Sequence, residues 1–207
     1  MIIDKSVQTF LDELASKSST PGGGSAAAIM GAMSAALIGM VCNLTIGNKN
    51  YEGVENELRA LLVEAKKLQG TLTYMIQADV TAFNRVMAAY RMPKDEDAQK
   101  AARSAEIQEA LKAATDVPLA CARACADAID LSRVVAEKGN LNVVSDAGVA
   151  VLAGYAALKS AALNVYINVS AIKDETFVNQ RLSELTKILE GKDVSTEAIY
   201  QMVKDKL

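Results

Sequence analysis

The 207-residue sequence contains no histidine. Histidine is the only side chain whose unperturbed pKa lies near neutral pH, and it is the commonest metal ligand. Its absence excludes a serine-histidine-aspartate triad, a cysteine-histidine pair and the histidine-based zinc sites. Any general acid or base in this protein must therefore be another titratable side chain.

Cysteine, proline and aromatic residues are scarce. The cysteines are Cys42, Cys121 and Cys125, and the last two are four residues apart in a helical pattern. Their spacing suits small buried hydrophobic residues better than a metal site, so we expect free thiols in a reducing compartment and no metal. With three prolines in the chain, little interrupts its helical propensity.

Charge is close to balanced, with a formal net charge of −3 and no run rich in Lys or Arg. We therefore expect no nucleic-acid partner. The first residues show no signal-peptide pattern, which favours a cytoplasmic protein. The stretch from Ser25 to Gly47 is long enough to span a bilayer, but it has few large aliphatic residues and no aromatic belt. We interpret it as a central helix surrounded by other helices, so we expect no membrane span.

Apolar residues recur at helical spacing along the chain, and no stretch alternates with a period of two. This pattern predicts a single all-α domain over residues 1–207, an antiparallel bundle of long helices. Ser25 and Ser145 are the predicted N-caps of two helices rich in small residues, Pro118 is expected to kink or restart a third, and Gly139 to end it. The predicted helices are about Val7–Ala15, Ser25–Gly47, Gly53–Met92, Asp95–Lys138, a helix from Ser145 to about Ile172, Val178–Leu189 and Glu197–Lys206.

Asp79 interrupts the apolar stripe of the predicted helix from Gly53 to Met92. It follows Ile76 by three residues and precedes Phe83 by four, so it shares the side of the helix that faces the core. A carboxylate in that position is desolvated, and a raised pKa suits a general acid or base. Pairing with a buried Lys or Arg, or a place on the wet edge of the stripe, is the alternative. The stripe comprises Leu58, Leu62, Ala65, Leu72, Ile76, Val80, Phe83, Met87 and Tyr90.

Polar residues also interrupt the apolar helix that begins near Ser145. Asn164 and Asn168 are one turn apart, and paired amides of this kind either bind a planar heterocycle or form a polar contact between helices. Asp146 shares their face but lies about 27 Å from Asn164, so the two need a long ligand or a second subunit to share a site. Alternatively, Asp146 only interacts favourably with the helix dipole, as an acidic residue in the first turn.

Three consecutive glycines precede the central helix, in the turn from Pro21 to Ser25. They either bring backbone amides close to an anionic or carbonyl ligand at a helix N-terminus or form a flexible joint.

Five stretches between Phe10 and Asn168 stand out together: "FLDELASKSSTPGGGSAAA", "CNLTIGNKNYE", "DVTAFN", "GNLNVVSDAGVA" and "SAALNVYIN". In this order they resemble the formiminotransferase-cyclodeaminase family, which includes free-standing bacterial methenyltetrahydrofolate cyclohydrolases. The resemblance implies an elongated, cyclodeaminase-like helical bundle that forms a homodimer.

The resemblance also implies a reaction, the hydrolysis of 5,10-methenyltetrahydrofolate to 10-formyltetrahydrofolate without a metal or redox cofactor. Asp79 matches the acidic residue proposed as catalytic in the family. Lys49 and Lys138 are the expected partners of the glutamate tail, although relatives often carry a run of lysines where this chain has Asn48 and Asn50 around Lys49. The expected substrate-binding residues are Gly22, Gly23, Gly24, Ser25, Lys49, Lys138, Ser145, Asp146, Asn164 and Asn168.

Two alternatives remain open at this point. A cyclodeaminase would release ammonia from 5-formiminotetrahydrofolate and form the methenyl bridge instead of opening it. A non-enzymatic helical dimer or adaptor would use the alanine-rich faces for binding partners alone.

Overall fold

A computed structural model describes residues 2–207, and within that range every regular element is helical. The predicted all-α fold is confirmed. Three short 3₁₀ helices lie at Ile2–Asp4, Lys49–Val54 and Leu141–Val143. The α-helices are α1 (Val7–Leu14), α2 (Gly23–Thr45), α3 (Glu55–Tyr90), α4 (Asp97–Lys138), α5 (Val144–Val169), α6 (Glu175–Leu189) and α7 (Lys192–Lys204).

The long helices α3 and α4 make the bundle elongated, since their 36 and 42 residues correspond to about 54 Å and 63 Å. They run antiparallel. Arg85 of α3 pairs with Glu106 of α4 near one end, and Lys138 of α4 pairs with Glu57 of α3 near the other.

Helix α2 packs against α3, α4 and α5 through small residues. A Cβ atom added at Gly31 would lie 2.8 Å from the Cys125 sulfur of α4 and 3.0 Å from a methyl group of Leu72 on α3. On another side of α2, the Ser34 hydroxyl donates a hydrogen bond of 2.7 Å to the Ala150 carbonyl of α5. These close approaches give α2 the central position predicted for it.

The expectation that α2 is covered on all sides is wrong for one face. Met33, Met40 and Leu44 are exposed, and they follow each other at helical spacing. The segments Gly23–Thr45 and Leu141–Val169 are long and apolar enough to span a membrane, with 50% and 44% of their most apolar windows buried in the bundle. A core helix passes the same test of length and composition, so this finding alone is weak evidence for a membrane.

Neither Ser25 nor Ser145 is the N-cap that the sequence predicted. Helix α2 is capped by Gly22, which has an extended backbone, and Ser25 lies buried in the first turn. Helix α5 begins at Val144, directly after the 3₁₀ turn that Asn140 caps by accepting a hydrogen bond from the Asn142 amide. The side-chain oxygen that caps this region therefore comes from Asn140, in the turn before the helix. Ser145 itself is exposed.

Pro118 does not restart the fourth helix, because α4 is continuous from Asp97 to Lys138. The missing N–H costs one backbone hydrogen bond, and the buried side chains of Pro118 and Leu119 keep this segment packed in the core. Gly139 ends the helix as predicted. Its need for glycine is steric, since a Cβ there would lie 2.6 Å from a methyl group of Val41.

The predicted stripe of α3 is correct in its first half and wrong at its end. Leu58, Ala65, Leu72 and Ile76 are buried, but Tyr90 is 43% exposed and lies beneath the Arg103 guanidinium. A repeat of seven residues drifts around a straight α-helix by about 20° per repeat, so the buried face moves to other positions along a helix of this length. Val86 and Ala89 occupy it near the C-terminus.

Candidate active site

The Asp79 side chain of α3 meets the N-terminus of α2. The Ser25 hydroxyl donates a hydrogen bond of 2.8 Å to Asp79 Oδ2, and Ser25 itself is fully buried. Among residues 2–207 no Lys or Arg forms an ion pair with Asp79, so the structure does not support the alternative of a buried salt bridge. The partners of this carboxylate are thus neutral donors at the start of a helix.

Gly24 makes this approach possible. A Cβ atom at that position would lie 2.6 Å from the Asp79 carboxyl carbon and closer still to Oδ1. The other two glycines have no such constraint, because a Cβ at Gly23 would lie at an ordinary 3.7 Å from Asn164 Nδ2, and one at Gly22 would lie 4.0 Å from the Ser19 carbonyl oxygen. The triple glycine therefore includes one position where only glycine leaves room for the carboxylate.

Burial raises the pKa of Asp79 above its ordinary value of 3.8, while hydrogen bonds from the Ser25 hydroxyl and backbone oppose the shift. Desolvation disfavours the charged form, which is why the net direction is upward. A carboxyl group of this kind holds and releases a proton closer to neutral pH than an exposed aspartate does.

A cleft of about 330 Å³ opens beside Asp79, between α2, α3, α4 and α5. It brings together the glycine turn, Asp79 and the two asparagines that the sequence singled out. Ser25 lies behind the carboxylate instead of in the cleft. The lining comprises Ser19, Thr20, Gly22, Gly23, Gly24, Asp79, Ala82, Phe83, Val86, Ala114, Asn164, Ile167 and Asn168.

The two asparagines each use one amide N–H within the protein. Asn164 Nδ2 donates to the Ser160 carbonyl at 2.9 Å, and Asn168 Nδ2 donates to the Ala114 carbonyl of α4 at 2.7 Å. The latter is a polar contact between helices, one of the two roles considered for this pair. Each amide retains an oxygen acceptor and a second N–H, which suit a heterocycle bound in the cleft.

Several cleft residues escaped the sequence analysis. Phe83 follows Asp79 by one helical turn, so the spacing that placed Asp79 on the inner face also contains the signal for Phe83. Ser19 and Thr20 lie in a loop and Ala114 lies on another helix. Only the folded chain brings these residues to the cleft.

Lys49, Lys138, Ser145 and Asp146 lie at the other end of the bundle. Lys138 Nζ pairs with Glu57 Oε1 at 2.5 Å, and Glu57 precedes Asp79 on α3 by 22 residues, or about 33 Å. Within one chain, these residues do not join the Asp79 cleft.

The turns at that second end are tied together by hydrogen bonds. Asn140 Nδ2 donates to the Leu44 carbonyl, the Asn140 amide donates to Thr45 Oγ1, and the Leu141 amide donates to the Tyr51 hydroxyl, all at 2.9 Å. The segments that carry Lys49 and Lys138 are therefore fixed to each other.

The three cysteines are free and buried, as predicted. Burial raises the pKa of Cys42 to about 11, and the hydrogen bond with Cys121, together with burial, raises the pKa of Cys125. Among residues 2–207 no three His, Cys, Asp or Glu side chains cluster in a way that could hold a metal ion.

A sequence model described as formiminotransferase-cyclodeaminase matches residues 6–187. The chain belongs to this family. It is 58% identical over 204 residues to a methenyltetrahydrofolate cyclohydrolase of Methylorubrum extorquens, a match that covers 99% of this chain and 98% of that protein.

Other members of the family match over less of their own length or with lower identity. The formimidoyltransferase-cyclodeaminase of Sus scrofa is 36% identical over 187 residues, which are 89% of this chain and 35% of that protein. The crystal structure of formiminotetrahydrofolate cyclodeaminase from Thermotoga maritima superimposes with a TM-score of 0.84 at 34% identity and covers all of this chain and 98% of that one. The fold of this chain is thus the cyclodeaminase-type helical bundle.

Proposed function

We propose that this protein is an enzyme of one-carbon folate metabolism that hydrolyses 5,10-methenyltetrahydrofolate to 10-formyltetrahydrofolate. The observation that carries the proposal is the partly buried Asp79 carboxyl group at the edge of a cleft, in a chain 58% identical to a cyclohydrolase over nearly its whole length.

The chemistry suits a site with one carboxylate and no histidine. The methenyl bridge is a cationic amidinium carbon bonded to N5 and N10, and it is already electrophilic. Asp79 accepts a proton as a water molecule forms a C–O bond to that carbon. The proton then passes to N5 as the N5–C bond breaks. The remaining hydroxyl proton is released to solvent as the C=O bond forms, which leaves the formyl group on N10. The enzyme therefore needs only to position the substrate and water and to supply one side chain, Asp79, that carries the proton.

The raised pKa of Asp79 suits both halves of this reaction. When the cationic bridge occupies the cleft, its charge favours the ionised carboxylate, which then attracts the cation and accepts the proton from water. When water adds to the bridge and gives up its proton, the positive charge is lost, and the desolvated carboxyl group holds that proton until it passes to N5 as the bridge opens.

The pteridine ring is proposed to lie between Phe83 and the two asparagines. Phe83 offers an aromatic surface for stacking. The remaining N–H and the amide oxygen of Asn164 and of Asn168 match the alternating donors and acceptors of the ring. Gly22 and Gly23 leave backbone at the cleft open to a ring carbonyl.

We further propose that the reaction needs no metal or redox cofactor and that the enzyme works in the cytoplasm as a homodimer. The first point follows from the electrophilic bridge, which needs no Lewis acid. The cytoplasmic location rests on the folate chemistry of the family. The homodimer is supported by the exposed apolar residues of the central helix.

A second candidate is formiminotetrahydrofolate cyclodeaminase, which the similarity to the Thermotoga maritima structure favours. That reaction closes the methenyl bridge and expels ammonia, and the same carboxyl group can deliver the proton that ammonia carries away.

The decisive assay follows the loss of 5,10-methenyltetrahydrofolate absorbance with purified protein in the presence of EDTA. Acceleration well above spontaneous hydrolysis supports the cyclohydrolase and its independence from metal. Absence of acceleration, together with ammonia release from 5-formiminotetrahydrofolate, would replace it with the cyclodeaminase.

A further inference from the structure

Pro118 removes one backbone hydrogen bond from the middle of α4. In a regular α-helix the N–H of residue 118 would donate to the carbonyl oxygen of Ala114, four residues earlier. Proline has no N–H, so that bond cannot form, although α4 continues through both positions. A proline ring inside a helix also crowds the carbonyl group four residues before it and displaces that group from the helix axis. The Ala114 carbonyl therefore needs a donor from elsewhere in the protein.

The side chain of Asn168 on α5 supplies that donor. Asn168 Nδ2 donates a hydrogen bond of 2.7 Å to the Ala114 carbonyl oxygen, 54 residues away in the sequence. Ala114 is buried, and a buried carbonyl group without a donor costs free energy. Pro118 removes the helical donor and Asn168 replaces it, so the two residues act on the same acceptor.

This hydrogen bond fixes the orientation of the Asn168 amide. A carbonyl oxygen can only accept, so the NH₂ group of the amide must face Ala114. The amide oxygen is then held on the other side of the group. Because Asn168 lines the cleft, its oxygen and its second N–H remain for a bound molecule, in an order that the contact with α4 determines.

The neighbouring Asn164 is held in a different way. Its Nδ2 donates to the Ser160 carbonyl oxygen, one turn earlier on the same helix. That carbonyl is also the regular helical acceptor for the backbone N–H of residue 164. The orientation of Asn164 therefore depends on α5 itself, whereas the orientation of Asn168 depends on a carbonyl group of α4 that proline has freed.

Pro118 lies close to the reacting group without lining the cleft. It borders a small cavity of about 10 Å³ that Asp79 and Gly24 also border. Ala114, one turn before Pro118, lines the cleft, and Pro118 does not. A substitution at position 118 therefore reaches a molecule in the cleft through Ala114 and Asn168 and not by direct contact.

We propose that Pro118 is a positioning residue for the substrate, which frees the Ala114 carbonyl so that the Asn168 amide is held with its oxygen towards an N–H group of the pteridine ring. The proposal rests on the folate function proposed above and names the group of the ring that this amide binds. An amide that turns by half a rotation exchanges its oxygen and its NH₂ group. It would then present a donor where the N–H of the ring needs an acceptor.

Pro118→Ala restores the missing N–H and tests the proposal. The helix regains its backbone bond to Ala114, so Tm should rise. The Asn168 amide loses its fixed orientation, so KM for 5,10-methenyltetrahydrofolate should rise roughly two- to fivefold. We expect kcat to stay close to wild type, because the ring is bound alike in the ground state and the transition state. A purely structural proline would change Tm and leave KM unchanged.

Asn168→Ala completes a double-mutant cycle with Pro118→Ala. In the Asn168→Ala background the Ala114 carbonyl has no donor until Pro118→Ala provides one. The proline substitution should therefore raise Tm by more in this background than in wild type. It should leave KM unchanged there, because the amide on which it acts is absent. An equal rise in KM in both backgrounds, or no rise in wild type, would overturn the proposal.

An ester at position 118 separates the N–H from the proline ring. Lactic acid, incorporated in place of Pro118, has the methyl group of alanine but an oxygen atom where alanine has its N–H. This protein should keep the wild-type KM, whereas Pro118→Ala raises it. Equal KM values for the lactic acid and alanine proteins would show that loss of the ring, and not the restored N–H, moves KM, which contradicts the proposal.

Gly70→Ala is the matched control for the gain in helix stability. Gly70 lies in α3, and a Cβ atom there meets nothing within 4 Å. This substitution should raise Tm by the same amount with and without Asn168→Ala, and it should leave KM unchanged.

The cycle in Tm needs no folate, so it separates two kinds of failure. Wild-type protein without any folate turnover would contradict the proposed function. Additive changes in Tm for Pro118→Ala and Asn168→Ala would instead show that the two residues do not share the Ala114 carbonyl, which overturns the proposal for Pro118.

Discussion

The backbone of Gly24 lies directly against the carboxylate of Asp79, and no side chain fits between them. Asp79 comes from α3 and Gly24 from the first turn of α2, so the contact joins two helices through the residue that we assign to catalysis. The first backbone amides of a helix have no partners within the helix, which makes this a favourable place for a carboxylate.

Gly24→Ala should displace the carboxylate and lower kcat at least tenfold, because the new methyl group overlaps the carboxyl carbon at 2.6 Å. Turnover and far-UV circular dichroism measure the two effects separately. Gly70→Ala is the matched control, since a Cβ at Gly70 in α3 meets nothing within 4 Å. The control should keep its turnover and gain up to about 1 kcal/mol of stability. Equal turnover in both variants would refute the steric role of Gly24.

Ser25→Ala should move the pH profile of kcat/KM. The hydrogen bond from the Ser25 hydroxyl helps to hold down the pKa of Asp79, so its loss lets burial raise that pKa further, although the backbone hydrogen bond of residue 25 remains. The acidic limb of the profile, where the carboxylate becomes protonated, is expected to shift to higher pH.

Ser34→Ala provides the comparison for Ser25. Its hydroxyl also donates to a buried acceptor, the Ala150 carbonyl, but far from Asp79. We expect a loss of about 1 kcal/mol in stability and an unshifted acidic limb. A limb that moves to lower pH in Ser25→Ala would show that the hydroxyl does not stabilise the charged carboxylate.

Asp79 should also make the stability of the protein depend on pH. Its folded-state pKa is raised, so the folded chain binds this proton more tightly than the unfolded chain does. The resulting stabilisation is fully present below the unfolded pKa and is lost as pH rises through the folded pKa.

Urea unfolding of wild type and Asp79→Asn, at one protein concentration, measures this effect. The wild type should lose stability relative to the variant as pH rises from about 4 towards neutrality. Parallel stability curves over that range would mean that the folded pKa is not raised.

Much of the architecture is predictable from the sequence because it depends on local patterns. The 3.6-residue periodicity and the scarcity of proline indicate the long helices, and Gly139 marks one helix end. The caps were not predictable from residue type alone. Ser25 has the chemistry of an N-cap, but its hydroxyl binds the distant Asp79 instead.

The site was only partly predictable, because some of its features depend on contacts between residues that are distant in the sequence. Asp79 stands out because a charge in an apolar stripe is locally visible, and Phe83 shares that signal. The steric demand at Gly24 and the separation of Lys49 from Asp79 depend on how helices pack over tens of ångströms. No spacing within a single helix contains that information.

The central claim is that the Asp79 carboxyl group carries the proton during hydrolysis of the methenyl bridge. The most direct measurement is kcat of Asp79→Asn on 5,10-methenyltetrahydrofolate, with circular dichroism and sedimentation matched to wild type. The amide has the same shape as the carboxyl group but cannot accept the proton, so kcat should fall by about 10²- to 10⁴-fold. A kcat within a few-fold of wild type, in a folded protein with the same oligomeric state, would contradict the account.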